Sequence, residues 1–187
     1  MSRFQRIPQV VYHGTSSNHL SSLSKGIDVT KCEPIADFGQ EFYVTTNFNR
    51  ACERARLKAN VYQKLFGDSS VFPVVINYRI NVPIFKQYAG YTYHSRDEEW
   101  IRFIYGNRSI VNPQQHTYNH VIGYVADGKI TELIEDVDNG TMSLDDLLLL
   151  VTQGYADYDQ ISFHNNNVVK CLFKQREVKV HEKVKRT

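Results

Sequence analysis

Cysteine is scarce in this chain: Cys32, Cys52 and Cys171 are the only three among 187 residues. An odd number without C-x-x-C spacing argues against a disulfide framework and for a reducing compartment. It also supplies no zinc pattern. His116 and His120 lie four apart, but the chain around Tyr118 reads as extended, so they should share a strand face rather than form a helical ligand pair. Long apolar runs are missing too. The longest, Leu147 to Val151, is far short of a membrane span. The opening MSRFQRIPQVV lacks the apolar core of a signal peptide, so the expected location is the cytoplasm, with secretion by a specialised machine left open. Nor is there an excess of charge of one sign. Twenty-two Lys and Arg face 20 Asp and Glu, net +2, spread along the whole chain. That is no electrostatic footprint for nucleic acid. The basic tail from Lys179 to Arg186 carries Glu182 and alternates with Val178, Val180 and Val184, as a last strand with a solvated end would. No repeat, low-complexity tract or Pro/Gly-rich linker divides the chain, which predicts one domain over residues 1–187.

What is present is an ordinary globular composition, 42% hydrophobic and 22% charged, with 12 Tyr against a single Trp. Val10-Val11-Tyr12 reads as a strand running into His13-Gly14-Thr15. Ser16 or Ser17 could cap a short helix carrying Leu20 and Leu23 and stopped by Gly26. Glu41 to Thr45 is rich in strand formers. Asn47 is a natural cap for a helix from Phe48 to Phe66 that Gly67 would end, with Phe48, Ala51, Ala55, Ala59 and Tyr62 at helical spacing. Two strands are expected next, Val71 to Ile80 and Ile84 to Tyr88, parted by Asn81 and Pro83. Ser95 with Glu98 suggests a capping box for a helix bearing Trp100, Ile101, Phe103 and Ile104. A strand over Tyr118 to Val125, a helix over Lys129 to Val137 and a second, begun by Ser143 with Asp146 and ended by Gly154, complete the middle. Asp159 to His164 reads as a strand, followed by a short helical turn and a final strand near Val178. Strands dispersed among helices without strict alternation predict an α+β fold.

The sequence has no G-x-G-x-x-G, Walker A loop, G-x-S-x-G elbow or H-E-x-x-H, which disfavours a Rossmann dinucleotide site and the common nucleophile and metalloprotease designs. Cys52 falls in mid-helix, where core packing suits it better than nucleophilic attack. Three segments remain: Tyr12-His13-Gly14-Thr15, Asp37-Phe38-Gly39-Gln40-Glu41-Phe42-Tyr43-Val44-Thr45, and Asp159-Gln160-Ile161-Ser162-Phe163-His164. Singly, each has a bland reading as strand and core. Their order, with glycines at two turns, says more.

Together they resemble the signature segments of the ADP-ribosyltransferase superfamily, in its His–Tyr–Glu branch. The closer resemblance is to a bacterial domain family of unknown function grouped with that superfamily. It extends through Glu99-Trp100-Ile101-Arg102-Phe103-Ile104, Asn107-Arg108 and the run from Tyr118 to Asp127, and covers about Val10 to Phe173. The resemblance implies a split mixed β-sheet core with flanking helices, and NAD as a consumed substrate without a metal. Cleavage of the nicotinamide–ribose bond passes through an oxocarbenium-like state, so the protein must position, stack and stabilise charge. The resemblance makes His13, Tyr43 and Gln160 the catalytic set. His13 would bond the adenine-side ribose, and Gly14 would pair with the nicotinamide amide through its backbone. Tyr43 would stack on the nicotinamide ring, Phe42 would lie behind the sheet, Thr45 would support the pocket, and Thr15 would belong to the NAD-binding set. Asp37-Phe38-Gly39 would shape its rim. In the third segment this chain departs from the pattern, with Gln160 where the better-known enzymes carry Glu. A neutral amide keeps a ribose hydrogen bond and loses the charge, on the order of a few kcal/mol in a dry site. Asp157 and Asp159 lie near, although alternation turns Asp159 to the opposite strand face.

Three readings follow. The leading one is a mono-ADP-ribosyltransferase acting on a protein or other macromolecule. The second is an NAD glycohydrolase toxin, and the third a non-catalytic module that binds NAD or ADP-ribose, which Gln160 favours. By family analogy an antitoxin or regulatory partner belongs with such proteins. Acceptor choice would fall to the Phe66–Val71 turn and to Gly154-Tyr155-Ala156-Asp157-Tyr158.

Overall fold

The computed structural model describes residues 6–126, 130–152 and 158–180. Its strands form two sheets. The first is antiparallel, in the order β1 (Val10–Ser16), β3 (Pro73–Ile80), β7 (Leu172–Lys179). The second is mixed, in the order β2 (Phe42–Val44), β6 (Asp159–Phe163), β5 (His120–Tyr124), β4 (Gly90–Thr92), with only the β4–β5 pair parallel. Alternation gives each sheet one face for a shared core. Val11, Val74, Ile76, Tyr78 and Ile80 of the first sheet meet Phe42, Val44, Ile122, Ile161 and Phe163 of the second. The two sheets also touch at one edge, where Tyr12 and Thr45 exchange backbone hydrogen bonds of 2.8 and 2.9 Å.

Helices cover the outer faces. α2 (Phe48–Phe66) lays Ala51 and Ala55 on β1 and β3, against Val75 and Tyr12. On the far side α4 (Glu98–Arg108), α5 (Ile130–Asp138) and α6 (Leu144–Thr152) close a second core around Trp100, Ile101, Ile104, Val121, Ile134 and Leu147. Two short helices, α1 (Leu20–Ser24) and α3 (Val82–Phe85), fill the ends. The described residues therefore make a single compact α+β domain.

Local chemistry explains most boundaries. Asn47 accepts a hydrogen bond from the Arg50 amide at 3.0 Å, and Gly67, at φ 68°, ends α2 in the left-handed conformation that glycine tolerates best. Ser143 and Asp146 cap α6 reciprocally, the Asp146 amide donating to Ser143 Oγ and the Ser143 hydroxyl to Asp146.

Other expectations are corrected. Ile84 to Tyr88 is no strand: Asn81 accepts from the Ile84 amide and Pro83 sits in the first turn, so the chain turns into α3. α4 is capped by Asp97, which accepts from the Trp100 amide at 3.0 Å, while Ser95 donates its hydroxyl to Asp97 instead of capping the helix itself. Neither Ser16 nor Ser17 caps α1. Chain turns of 3-10 type come first, and Ser17 Oγ accepts from the Phe72 amide. His116 lies ahead of β5 rather than on a strand face with His120. The features expected at Lys129, Gly154–Asp157 and beyond Val180 lie outside the described residues.

Candidate functional site

Where the two sheets meet, β2 and β6 leave one face uncovered by the shared core. Alternation along β2 puts Glu41, Tyr43 and Thr45 on that face, and Gln160 of β6 stands beside them. The amino-terminal half of α2 faces them with Arg50, Ala51 and Arg54. Ala36 and Asp37, Arg108 from the end of α4, and the 125–126 and 130–131 stretches close the space. The result is a cavity of about 270 Å³ whose wall draws on all three segments singled out in the sequence: Tyr12 and Gly14, then Asp37 to Thr45, then Asp159 and Gln160.

Three carboxylates stand on this wall, each held differently. Asp37 takes two bonds from Arg108, from Nε at 2.7 Å and Nη2 at 2.6 Å, and its other oxygen accepts the Ala126 amide at 3.0 Å. That pair ties the loop before β2 to α4 and to the end of β5. Asp159 accepts from the Thr45 hydroxyl at 3.0 Å and from the Thr46 amide at 3.1 Å, just ahead of α2. Glu41 is different. It is 5% exposed, and its Oε1 accepts from the Gln160 amide at 2.5 Å, while Oε2 has no hydrogen-bond partner. Burial, and then the like charge of Asp37, push its carboxyl well above the usual carboxylate range.

Tyr43 lines the cavity and is half-buried. Its hydroxyl accepts from Arg54 Nε at 3.1 Å, and Arg54 and Lys58 lie 5.8 and 5.6 Å from its ring centre. A second, larger cavity of about 500 Å³ opens on the other side and shares Ala36, Glu41 and Tyr43 with the first. His13, Thr15 and His19 edge it, with Leu23, Ile27, Leu57 and Val61 supplying apolar lining. His13 is buried, stacks on Phe42 at 4.3 Å and has Nδ1 2.7 Å from the Tyr43 carbonyl oxygen. Burial first, then the nearby Lys58, take its pKa down to about 3, so the ring is neutral.

Gly14, Asp37, Tyr43, Thr45 and Gln160 thus meet on the first cavity, and His13, Thr15, Phe42 and Tyr43 on the second. Phe38 and Gly39 line neither. Phe38 is fully buried against Gly123 and Phe103, and Gly39 makes a tight turn at φ 90° beside Asn107. Of the expected rim, only Asp37 reaches the space. Gly14 also has a packing role, since a Cβ there would lie 2.0 Å from the Ala51 carbonyl oxygen of α2. Asp159, expected on the opposite strand face, edges the same cavity because it opens β6 and turns to the residues before α2. Several participants carried no assigned role: Glu41, which the Glu41-x-Tyr43-x-Thr45 alternation could have revealed, Arg50 and Arg54 on α2, and Arg108, whose partner lies 71 residues away. Among the described residues no cluster of His, Cys, Asp and Glu is arranged to hold a metal ion.

A family model described as "Protein of unknown function (DUF3990)" matches residues 9–173. The chain belongs to that family. The match runs from just ahead of β1 into β7, so the family's segment contains every wall of both cavities. No curated protein and no solved structure matches the chain.

Proposed function

We propose that this DUF3990 domain has an ADP-ribosyltransferase-like fold, binds NAD across the two joined cavities and breaks its nicotinamide–ribose bond. The ADP-ribose would pass to a protein or other macromolecule. The observation that supports this reading is the convergence of Gly14, Tyr43 and Gln160, from three distant segments, on one cavity. The smaller cavity suits the nicotinamide end, with Tyr43 and Gln160 both on its wall. The larger, apolar one suits the adenosine half, beside His13 and Thr15. Arg50 and Arg54, one turn apart on α2, bring guanidinium groups to the wall where the pyrophosphate would pass. NAD would be consumed, and no step needs a metal. With water as acceptor the same site would act as an NAD glycohydrolase. The neutral amide of Gln160 favours the further reading of a non-catalytic NAD or ADP-ribose reader, and an antitoxin or regulatory partner would accompany any of these.

Calorimetric titration with NAD, followed by assay of free nicotinamide in the same sample, tests this. Binding is expected in the wild type, and its loss in Tyr43→Ala. Nicotinamide release marks the enzyme, and binding without release marks the reader. No heat at millimolar NAD removes the reading.

A further inference from the structure

We propose that Glu41 supplies the counter-charge for the cationic nicotinamide–ribosyl end of the dinucleotide, and that Gln160 serves it by holding the carboxylate in place. The proposal rests on the NAD reading above and relocates the acid of the site from the third segment to the second.

The geometry carries it. A carboxyl 5% exposed, with one oxygen unpartnered, keeps its proton by itself and ionises favourably only against a cation that enters the cavity. The Ser162 hydroxyl stands near enough to Glu41 to favour its charged form, but it also lies 3.2 Å from the Val121 carbonyl oxygen and 2.8 Å from His164 Nε2, and Glu41 Oε2 has no hydrogen-bond partner of its own. Glu41 is one of three residues, with Ala36 and Tyr43, that line both cavities, so a ligand lying across the two would meet it. Gln160 gives one of its two amide hydrogens to Glu41 Oε1, so it is a positioning residue here, and the charge it lacks lies 2.5 Å away. The other wall carboxylates are engaged, Asp37 by Arg108 and Asp159 by Thr45 and Thr46.

The chemistry balances without a further reagent besides water or an acceptor hydroxyl. The C1′–N bond breaks and its electron pair leaves with nicotinamide, discharging the ring. The ribosyl cation forms against the Glu41 carboxylate. The acceptor oxygen then bonds to C1′, and its proton passes to Glu41 and on to solvent.

Glu41 must be ionised to do this, so binding of the cation and loss of its proton are linked. The groups that face it are His13 from β1, Cys32 and Asp37 from the loop before β2, Arg54 and Lys58 from α2, Arg108 from α4, and Asp159, Gln160 and Ser162 from β6. Burial holds His13 near 3, below the ordinary carboxylate value, and pushes the Cys32 thiol up.

The test compares calorimetric affinities for NAD⁺ and for NADH, the same dinucleotide with an uncharged ring, at about pH 5.5 and about pH 8.5. Wild type is expected to prefer NAD⁺ by roughly tenfold at the higher pH, as a buried counter-charge would give, and by less at the lower. Glu41→Gln, nearly the same shape, is expected to bind both alike at either pH and to lose nicotinamide release by about 100-fold. Equal wild-type affinities, or a preference that survives Glu41→Gln, would overturn the role of Glu41 and leave the NAD site standing. Failure of the wild type to bind either dinucleotide would remove both proposals. Should Glu41→Gln not fold, the pH dependence of the wild-type preference decides the matter alone.

Discussion

A Cβ on Gly14 would meet the Ala51 carbonyl oxygen at 2.0 Å and the Ala55 amide nitrogen at 3.0 Å, so the close approach of β1 to α2 depends on glycine there. Both atoms belong to helix backbone and cannot swing aside. Gly14→Ala should therefore cost about 2–3 kcal/mol of stability, as overpacking does, read as a lower urea midpoint at unchanged slope. A stability equal to wild type would mean that α2 yields at no cost, and the packing argument would fail. The same residue faces the first cavity, so a loss of ligand binding in this variant would not by itself distinguish packing from contact. At this scale the site was half legible. Tyr43, Thr45 and Gln160 stood in recognisable segments, and alternation along β2 gives Glu41 the same face as Tyr43. The bond between Glu41 and Gln160 could not be read, because it joins positions 119 apart that only the β2–β6 register brings together. Phe38 misled for a related reason. Its place in a turn suggested a rim, yet Gly123 on β5 leaves a hollow that its ring fills.

Elements with their own local signals were read well. α2 has an Asn cap, a small-residue stripe and a left-handed Gly stop, all within its own sequence, and its bounds match the expectation. The cap is a testable contribution: Asn47→Ala should lower stability by about 1 kcal/mol, since the Arg50 amide loses its acceptor. The effect should show in the unfolding midpoint, and an unchanged midpoint would mean solvent serves that amide as well. Asp159 reinforces the same end by bonding Thr46, so part of the helix start depends on a strand distant in sequence. Two stretches were read poorly, one against its own local signal and one for want of any. Ile84 to Tyr88 has the apolar content of a strand, but Asn81 and Pro83 supply the stronger local instruction, and Phe85 is buried against His120 and Phe163. β4 exists only because it lies beside β5. Its Gly90 admits the ring of His120, which a Cβ would meet at 2.1 Å, and no local pattern announces that pairing.

Across the whole molecule, two opposed sets of buried ionisable groups shape the response to pH. Burial takes His13 and His164 down to about 3 and His120 to about 4. In the unfolded chain each accepts a proton near 6.5. These histidines therefore contribute their full stability above about 6.5, and it is lost as the pH falls from there toward the folded values. For a group as deeply buried as His13 the slope approaches about 1.4 kcal/mol per pH unit over that window. Glu41 works in the other direction. Its folded pKa is raised, so its contribution is complete below the ordinary carboxylate value of 4.5 and is lost as the pH rises through the raised one. Three histidines outweigh one glutamate between pH 6.5 and 4.5, so net stability should fall on acidification, with the urea midpoint dropping steadily across that range. Glu41→Gln separates the two sets. It removes the alkaline loss and leaves the acid loss, so its stability relative to wild type should grow as the pH rises from 4.5, while below about 4.5 both chains weaken alike. A constant difference across the range would show that Glu41 does not titrate out of step with the unfolded chain. That result would also take away the reserve of protonated acid that a cationic ligand is expected to discharge.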